Sequence, residues 1–118
     1  MAGRLKGKRG KVKKMKNAKI TLEGQTLSVY LLCEIDHHTA KSIRADVDER
    51  LMNEKPKILV LDFSKVSFMD SSGIGLILGR ASKAEEIGAK VVIKGLSLTQ
   101  KKLVRMSGME KLEIISVI

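Results

Sequence analysis

Short apolar runs alternate along the chain with longer segments in which apolar residues recur every three or four positions. The short runs predict strands, because they contain many β-branched residues and are bounded by turn residues. Five such runs occur, at residues 19–22, 25–33, 58–62, 90–93 and 112–117. Glu23-Gly24 between the first two predicts the turn of a hairpin. Residues 58–61 are continuously apolar, which is typical of a buried parallel strand.

The longer segments predict three helices, at about residues 39–54, 71–87 and 99–106. In the first, spacings of three, four and four form one apolar stripe: Ala40, Ile43, Val47 and Leu51. Pro56 ends this helix, and Gly88 and Gly108 are the predicted C-terminal caps of the other two. Helices that connect buried strands predict one α/β domain, with a mixed β-sheet and the helices packed mainly on one face.

Two adjacent serines lie where the third predicted strand gives way to the second helix. Ser71 follows Asp70 at or next to the helix N-cap, where free N–H groups and the helix dipole favour an anion. Three interpretations are open: a helix cap, a nucleophilic serine and a nucleotide-binding loop. A hydrolase serine is disfavoured because Gly-x-Ser-x-Gly is absent. A nucleotide loop is disfavoured because Gly73, Gly75 and Gly79 have the wrong spacing and no Walker A motif occurs.

Three motifs resemble those of one protein family. Phe-Met-Asp-Ser-Ser-Gly and the residues after it, 68–80, resemble the phosphorylation-site segment of bacterial anti-sigma factor antagonists, which are STAS-domain proteins. Asp-His-His-Thr-Ala at 36–40 resembles the turn that opens their first helix, and residues 106–112 resemble a third motif. The order and spacing of the motifs also match. The resemblance covers about residues 17–116 and is strongest to the sporulation members of the family.

The resemblance implies a regulatory protein of the STAS type rather than an enzyme, with no cofactor. Unphosphorylated members bind an ATP-dependent serine kinase that is also an anti-sigma factor, and this frees the sigma factor without direct contact between antagonist and sigma factor. Phosphorylation of the first serine after the aspartate, here Ser71, ends the binding. Ser72 is the less favoured alternative. A metal-dependent serine phosphatase restores the active form.

Two other function classes stay open. One is a STAS scaffold of a stressosome or of a lipid-transport complex, which is not phosphorylated. The other is a small nucleotide-binding protein built on the glycines.

The resemblance also implies a docking surface for the kinase around the two motifs. Its predicted members are Asp36, His37, Asp70, Ser71, Ser72, Gly73 and Gly75. We expect the turn at Asp36 to lie beside Ser71, so that the charge of Asp36 faces a basic residue of the partner. Helix capping by Asp36 or Thr39 is the alternative interpretation of this turn.

The adjacent histidines, His37 and His38, raise the question of a metal site or a catalytic triad. Neighbouring side chains diverge, and no other ligand stands at a suitable spacing, so we expect no metal ion. A triad of Asp36, a histidine and Ser71 would lack the nucleophile elbow and the oxyanion loop. We therefore predict no catalytic residues.

The charge of the chain is concentrated at its beginning. The net charge is +10, but residues 1–16 hold eight basic side chains and no acidic one, which leaves 15 basic and 13 acidic side chains over residues 17–118. We expect a STAS domain at 17–118 and a basic, disordered extension at 1–16, either native or added to the natural chain. Two alternatives for residues 1–16 are an arm that touches RNA, DNA or acidic lipid and a segment that is part of the fold. We expect no other contact with nucleic acid.

Membrane insertion and export are not expected. The basic extension lacks the apolar segment of a signal peptide, and no later segment is apolar over a length that could cross a bilayer. Cys33 is the single cysteine, so an internal disulfide is impossible. The predicted location is the cytoplasm, with no membrane partner.

Overall fold

The computed structural model describes residues 17–118. They form five strands: β1 (Ala18–Glu23), β2 (Thr26–Leu31), β3 (Ile58–Asp62), β4 (Lys90–Lys94) and β5 (Ile115–Val117). The helices between them are α1 (His37–Glu54), α2 (Ser71–Glu86) and α3 (Leu98–Ser107). A 3₁₀ turn, Met109–Lys111, precedes β5.

One mixed sheet joins the strands in the order of the sequence. β1 and β2 form the antiparallel hairpin, and β2, β3, β4 and β5 are parallel neighbours. Each parallel pair is connected through one helix, and such crossovers are right-handed in nearly all proteins. Because the strand order never reverses, three right-handed crossovers place α1, α2 and α3 on the same face of the sheet.

The core lies between that face and the helices. Two rows of side chains across the sheet are buried, one being Leu27, Leu59, Val91 and Ile115, and the other Val29, Leu61 and Ile93. Helix α1 adds the buried part of its predicted stripe: Ile43, Val47 and Leu51. Most alternate strand positions, such as Ser28, Tyr30 and Lys94, are half-buried or exposed on the open face, whereas Asp62 is buried. The prediction of a mixed sheet covered mainly on one face is confirmed.

Three predicted boundaries differ from the structure by two residues or more. β2 ends at Leu31 and not at residue 33, because the chain turns there towards α1. Cys33 therefore lies outside the strand, half-buried against the core, and burial raises the pKa of its thiol. Helix α1 begins at His37 instead of Thr39, and β5 begins at Ile115 because the 3₁₀ turn takes the residues before it.

Of the two glycines predicted as helix C-caps, Gly108 has that role and Gly88 lies one residue beyond the C-cap of its helix. Gly108 is the C-cap of α3, with φ of 80°. Helix α2 is capped by Ile87, and Gly88 follows with φ of 76°, a left-handed conformation that glycine adopts at little cost.

The predicted basic extension at residues 1–16 lies outside the described residues. Within residues 17–118, no helix combines the length and the apolar character needed to cross a membrane.

Candidate functional site

The loops that follow β2 and β3 are joined at the carboxyl edge of the sheet. Ile35 and Met69 form an isolated parallel bridge. The Ile35 N–H donates to the Phe68 carbonyl at 2.9 Å, and the Asp70 N–H donates to the Ile35 carbonyl at 3.1 Å. These bonds place Asp36 and Asp70, the N-caps of α1 and α2, next to the same short bridge. The sequence prediction that the Asp36 turn lies beside the Ser71 segment thus agrees with the geometry.

The N-terminus of α1 is closed by a reciprocal capping box. The Thr39 N–H donates to Asp36 Oδ1 at 2.9 Å, and the Asp36 N–H donates to Thr39 Oγ1 at 3.0 Å. Both residues named as candidate caps therefore take part. The Thr39 backbone N–H holds the pKa of the Asp36 carboxyl below its ordinary value, so the carboxylate stays ionised at neutral pH.

The N-terminus of α2 is capped by Asp70. Its Oδ1 accepts a hydrogen bond from the Ser72 N–H at 2.7 Å, and its carbonyl accepts one from the Gly73 N–H at 2.9 Å. Ser71, the first residue of the helix, is exposed, whereas Ser72 is half-buried. The carboxylate of Asp70 therefore takes the position at which a nucleotide loop would hold a phosphate.

The three glycines of α2 stand in different surroundings. Gly73 is buried, and a Cβ placed on it would collide with Sδ and Cγ of Met69. A Cβ on Gly75 or Gly79 would meet no described atom within 4 Å. Among these three glycines, only Gly73 lies where a side chain would collide with a neighbour. The missing side chain of Gly73 makes room for Met69, so Gly73 leaves no open space at the predicted docking surface.

A groove of about 480 Å³ runs between α1 and α2. Its lining residues are His37, Ala40, Lys41 and Arg44 from α1, and Ser72, Gly75, Leu76, Gly79 and Arg80 from α2. Leu76 and Arg80 are buried and form its floor. The rest of the lining is half-buried or exposed.

An ion pair joins the two helices at the floor of the groove. Arg80 Nε and Nη2 donate to the two oxygens of Asp48 at 2.7 and 3.1 Å, and Nη1 donates to the Leu76 carbonyl at 3.2 Å. Burial lowers the pKa of the Arg80 guanidinium, while the Asp48 carboxylate opposes this shift. An arginine keeps its proton even so, and the pair stays charged.

The two histidines are both exposed in the first turn of α1. His37 lines the groove. In the described part of the chain, no three histidine, cysteine or carboxylate side chains are grouped so that they could hold a metal ion.

The sequence interpretation missed the lower part of the groove. Lys41 and Arg44 follow His37 at spacings of four and three, and Gly79 follows Gly75 at a spacing of four, so each set lies on one helix face. Helical periodicity could have identified both faces. The sequence does not show that these two helix faces lie opposite each other, because this depends on how α1 and α2 pack.

Comparison with known proteins points to one family. The STAS-domain family model matches residues 17–117. The anti-sigma F factor antagonist of Paenibacillus polymyxa is 35% identical over 86 residues, which cover 73% of this chain and 74% of that protein.

Two solved structures agree in fold with this chain. The anti-sigma factor antagonist SpoIIAA in its unphosphorylated form has a TM-score of 0.65 and 29% identity, over 75% of this chain and 82% of that one. The Bacillus cell fate determinant SpoIIAA in the phosphorylated form has a TM-score of 0.68 and 27% identity, over 86% of this chain and 90% of that one. The resemblance found in the sequence motifs is confirmed: this chain belongs to the STAS-domain family.

Proposed function

We propose that this chain is an anti-sigma factor antagonist that works by partner switching in the cytoplasm. Without phosphate, it binds an anti-sigma factor serine kinase, and the kinase then releases its sigma factor. Phosphorylation of Ser71 ends this binding, and a serine phosphatase restores it. The chain acts as a regulatory binding protein rather than an enzyme, needs no cofactor and makes no direct contact with the sigma factor.

The exposed position of Ser71 carries this proposal. A kinase must reach its acceptor hydroxyl, and Ser71 is exposed at the start of α2, whereas Ser72 is half-buried at the groove. Asp36 and Asp70 flank the same edge. The names of the relatives support the proposal, because one is an anti-sigma F factor antagonist and another was solved in a phosphorylated form.

Local electrostatics supply the switch. A phosphate adds about −1.5 to −2 charges beside the carboxylates of Asp36 and Asp70. A partner that covers this edge carries cations matched to the two carboxylates and no further cation for the phosphate, so the added charge would be buried unpaired. Leaving an interface charge unpaired costs about 2–5 kcal/mol, which weakens binding by about 30-fold to several thousand-fold.

The same phosphate is compatible with the folded domain. An anion at a helix N-terminus gains about 0.3–1 kcal/mol from the helix dipole, which offsets part of the repulsion from Asp70. SpoIIAA was solved in both the unphosphorylated and the phosphorylated form, and both structures are similar to this chain in fold. We therefore propose that phosphorylation changes the affinity and leaves the fold intact.

The test uses the purified anti-sigma factor kinase of the host organism, with ATP and mass spectrometry. We expect the wild-type protein to gain one phosphate, on Ser71. Ser71→Ala should bind the kinase and accept no phosphate, and Ser71→Asp should bind at least about tenfold more weakly. Ser72→Ala is the matched control and should still be phosphorylated.

Each alternative function has its own result in this test. Phosphate on Ser72 would show that the site assignment is wrong while the function stands. Binding without any phosphate transfer would indicate a scaffold. No binding to the kinase, together with a calorimetric signal from ATP or GTP, would indicate a nucleotide-binding protein, which the bond from Ser72 to Asp70 does not favour.

A further inference from the structure

We propose that the groove between α1 and α2 receives an acidic segment of the anti-sigma factor. Docking would then extend along both helices from the carboxyl edge of the sheet that carries Asp36, Asp70 and Ser71, called the Ser71 edge below. This inference rests on the proposed function, and it adds a second contact region and the chemistry of the partner segment that fills it.

The groove is continuous with the Ser71 edge. Asp36 and Asp70 cap the two helices at that edge, and the groove begins directly below them at His37 and Ser72. It extends along α2 to Arg80, eight residues further, which is about 12 Å of helix. A partner that covers Ser71 can therefore reach into the groove without a long linker.

The side chains along the groove are basic. Lys41 and Arg44 line one wall and are exposed, and Arg80 lies in the floor. None of the nine lining residues is acidic. Asp48 pairs with Arg80 from outside the lining, and within residues 17–118 neither Lys41 nor Arg44 forms an ion pair, so we expect their charges to be available to an occupant. A cleft lined by one sign of charge attracts the opposite sign, which identifies an acidic segment.

The two glycines on the other wall leave space for a close approach. Glycine inside a helix is less favourable than alanine, so an isolated domain gains nothing from it unless a side chain would collide. Gly75 and Gly79 lie one helical turn apart, and a Cβ on either would meet no described atom within 4 Å. The backbone of α2 therefore carries no side chain at these two positions, which lie opposite Lys41 and Arg44. A partner backbone fits there.

The charges also define the orientation of the partner. The edge carries the carboxylates of Asp36 and Asp70, whereas the groove carries Lys41 and Arg44. The complementary surface has basic residues opposite the edge and acidic residues opposite the groove. A segment docked in the reverse direction would place like charges together on both regions.

A charge-reversal experiment tests the chemistry of the occupant. The probe is the purified anti-sigma factor of the host organism, and affinity is measured by calorimetry at low salt and at about 0.5 M NaCl. The double variant Lys41→Glu/Arg44→Glu should bind at least about tenfold more weakly than wild type at low salt. The difference in affinity between the variant and wild type should become smaller at high salt, because salt screens the charges. The control is Lys101→Glu/Lys102→Glu on α3, which has the same change in charge on exposed residues outside the groove. It should bind within about twofold of wild type.

A steric experiment tests the position of the occupant. Gly79→Leu fills the groove without displacing a described atom at its Cβ, and we expect binding at least about tenfold weaker with the fold retained by circular dichroism. The control is Ser82→Leu, on the same helix but outside the groove lining. It should leave the affinity unchanged.

The outcomes separate this inference from the proposed function. If wild type binds and all groove variants bind equally well, the groove is not a contact region and the inference is overturned, while the proposed function stands. If Gly79→Leu weakens binding and the charge reversal does not, the occupant is not acidic, which also overturns the inference. If wild type does not bind the anti-sigma factor, the proposed function fails, and the inference fails with it.

Discussion

The three glycines of α2 allow a stability prediction that separates fold from function. Gly75 and Gly79 lie inside the helix with open space at their Cβ positions, so alanine fits without strain. Each replacement by alanine should raise the free energy of unfolding by about 1 kcal/mol, the difference in helix propensity. Gly73→Ala should do the opposite. Its methyl group must displace Met69, and overpacking costs about 1–3 kcal/mol, which exceeds the helical gain.

The magnitudes are large enough to measure by thermal unfolding. For a domain of this length, 1 kcal/mol corresponds to about 4 °C in Tm. Gly75→Ala and Gly79→Ala should each raise Tm by about 4 °C, and the double variant by about 8 °C. Gly73→Ala should lower Tm, by as much as about 8 °C.

The assay is circular dichroism during heating, checked by urea unfolding at fixed temperature. A loss of stability on Gly75→Ala or Gly79→Ala would refute the reasoning, because it would mean that the space at these positions is filled. A gain on Gly73→Ala would show that Met69 moves at no cost. Stabilising substitutions at positions that function requires carry a recurrent cost in function. The same two alanine variants should therefore show higher Tm together with weaker binding.

Three further predictions concern the caps and buried pairs. Asp48→Ala leaves the buried guanidinium of Arg80 with a single carbonyl partner. Urea unfolding should show that the free energy of unfolding falls by about 2 kcal/mol, which is less than for a fully buried pair because the Asp48 side chain is 24% exposed. An unchanged free energy of unfolding would contradict a stabilising role of the Arg80–Asp48 pair. The lowered pKa of Asp36 predicts that its contribution to stability is complete above the ordinary aspartate pKa and disappears as the pH falls through the folded-state pKa. When wild type and Asp36→Ala are unfolded at several pH values from 7 to 3, the difference between their free energies of unfolding should shrink in acid. A difference that stays constant with pH would refute this prediction. Gln100→Leu removes the 3.0 Å bond from Nε2 to the Val66 carbonyl and should cost about 1–3 kcal/mol, with Lys101→Ala as an exposed control that leaves stability unchanged.

Local pattern was sufficient for the elements of this fold. The stripe of Ile43, Val47 and Leu51 on α1 is a short-range periodicity, and the structure buries it as predicted. The apolar run of β3 forms the predicted strand, but Ile58 is exposed and Val60 is half-buried because one face of the sheet is open. The start of α1 is set locally by the Asp36–Thr39 capping box, whereas the end of β2 depends on a distant partner. β2 stops where the chain turns so that Ile35 can pair with Met69, and this pairing is not visible in the sequence around Leu31.

The candidate site divides in the same way. The motifs around Asp36 and Ser71 identify the family. They also locate the two helix N-termini, because the residues that cap a helix are neighbours in sequence. Gly73, Gly75 and Gly79 look alike in the sequence, although one of them lies against Met69 and two face an open groove. The position of a side chain from the preceding loop decides this difference.

The sequence by itself determined the class of the fold, the family and the place of the two serines at a helix N-terminus. Only the tertiary structure decided that Ser71 is exposed while Ser72 is half-buried, and that Lys41 and Arg44 on α1 face Gly75 and Gly79 on α2. The physical reason is that periodicity records which residues share a face of one element. The rotation of two helices against each other is set by the packing of Leu76, the Arg80–Asp48 pair and the core beneath them, all of which join residues far apart in the chain.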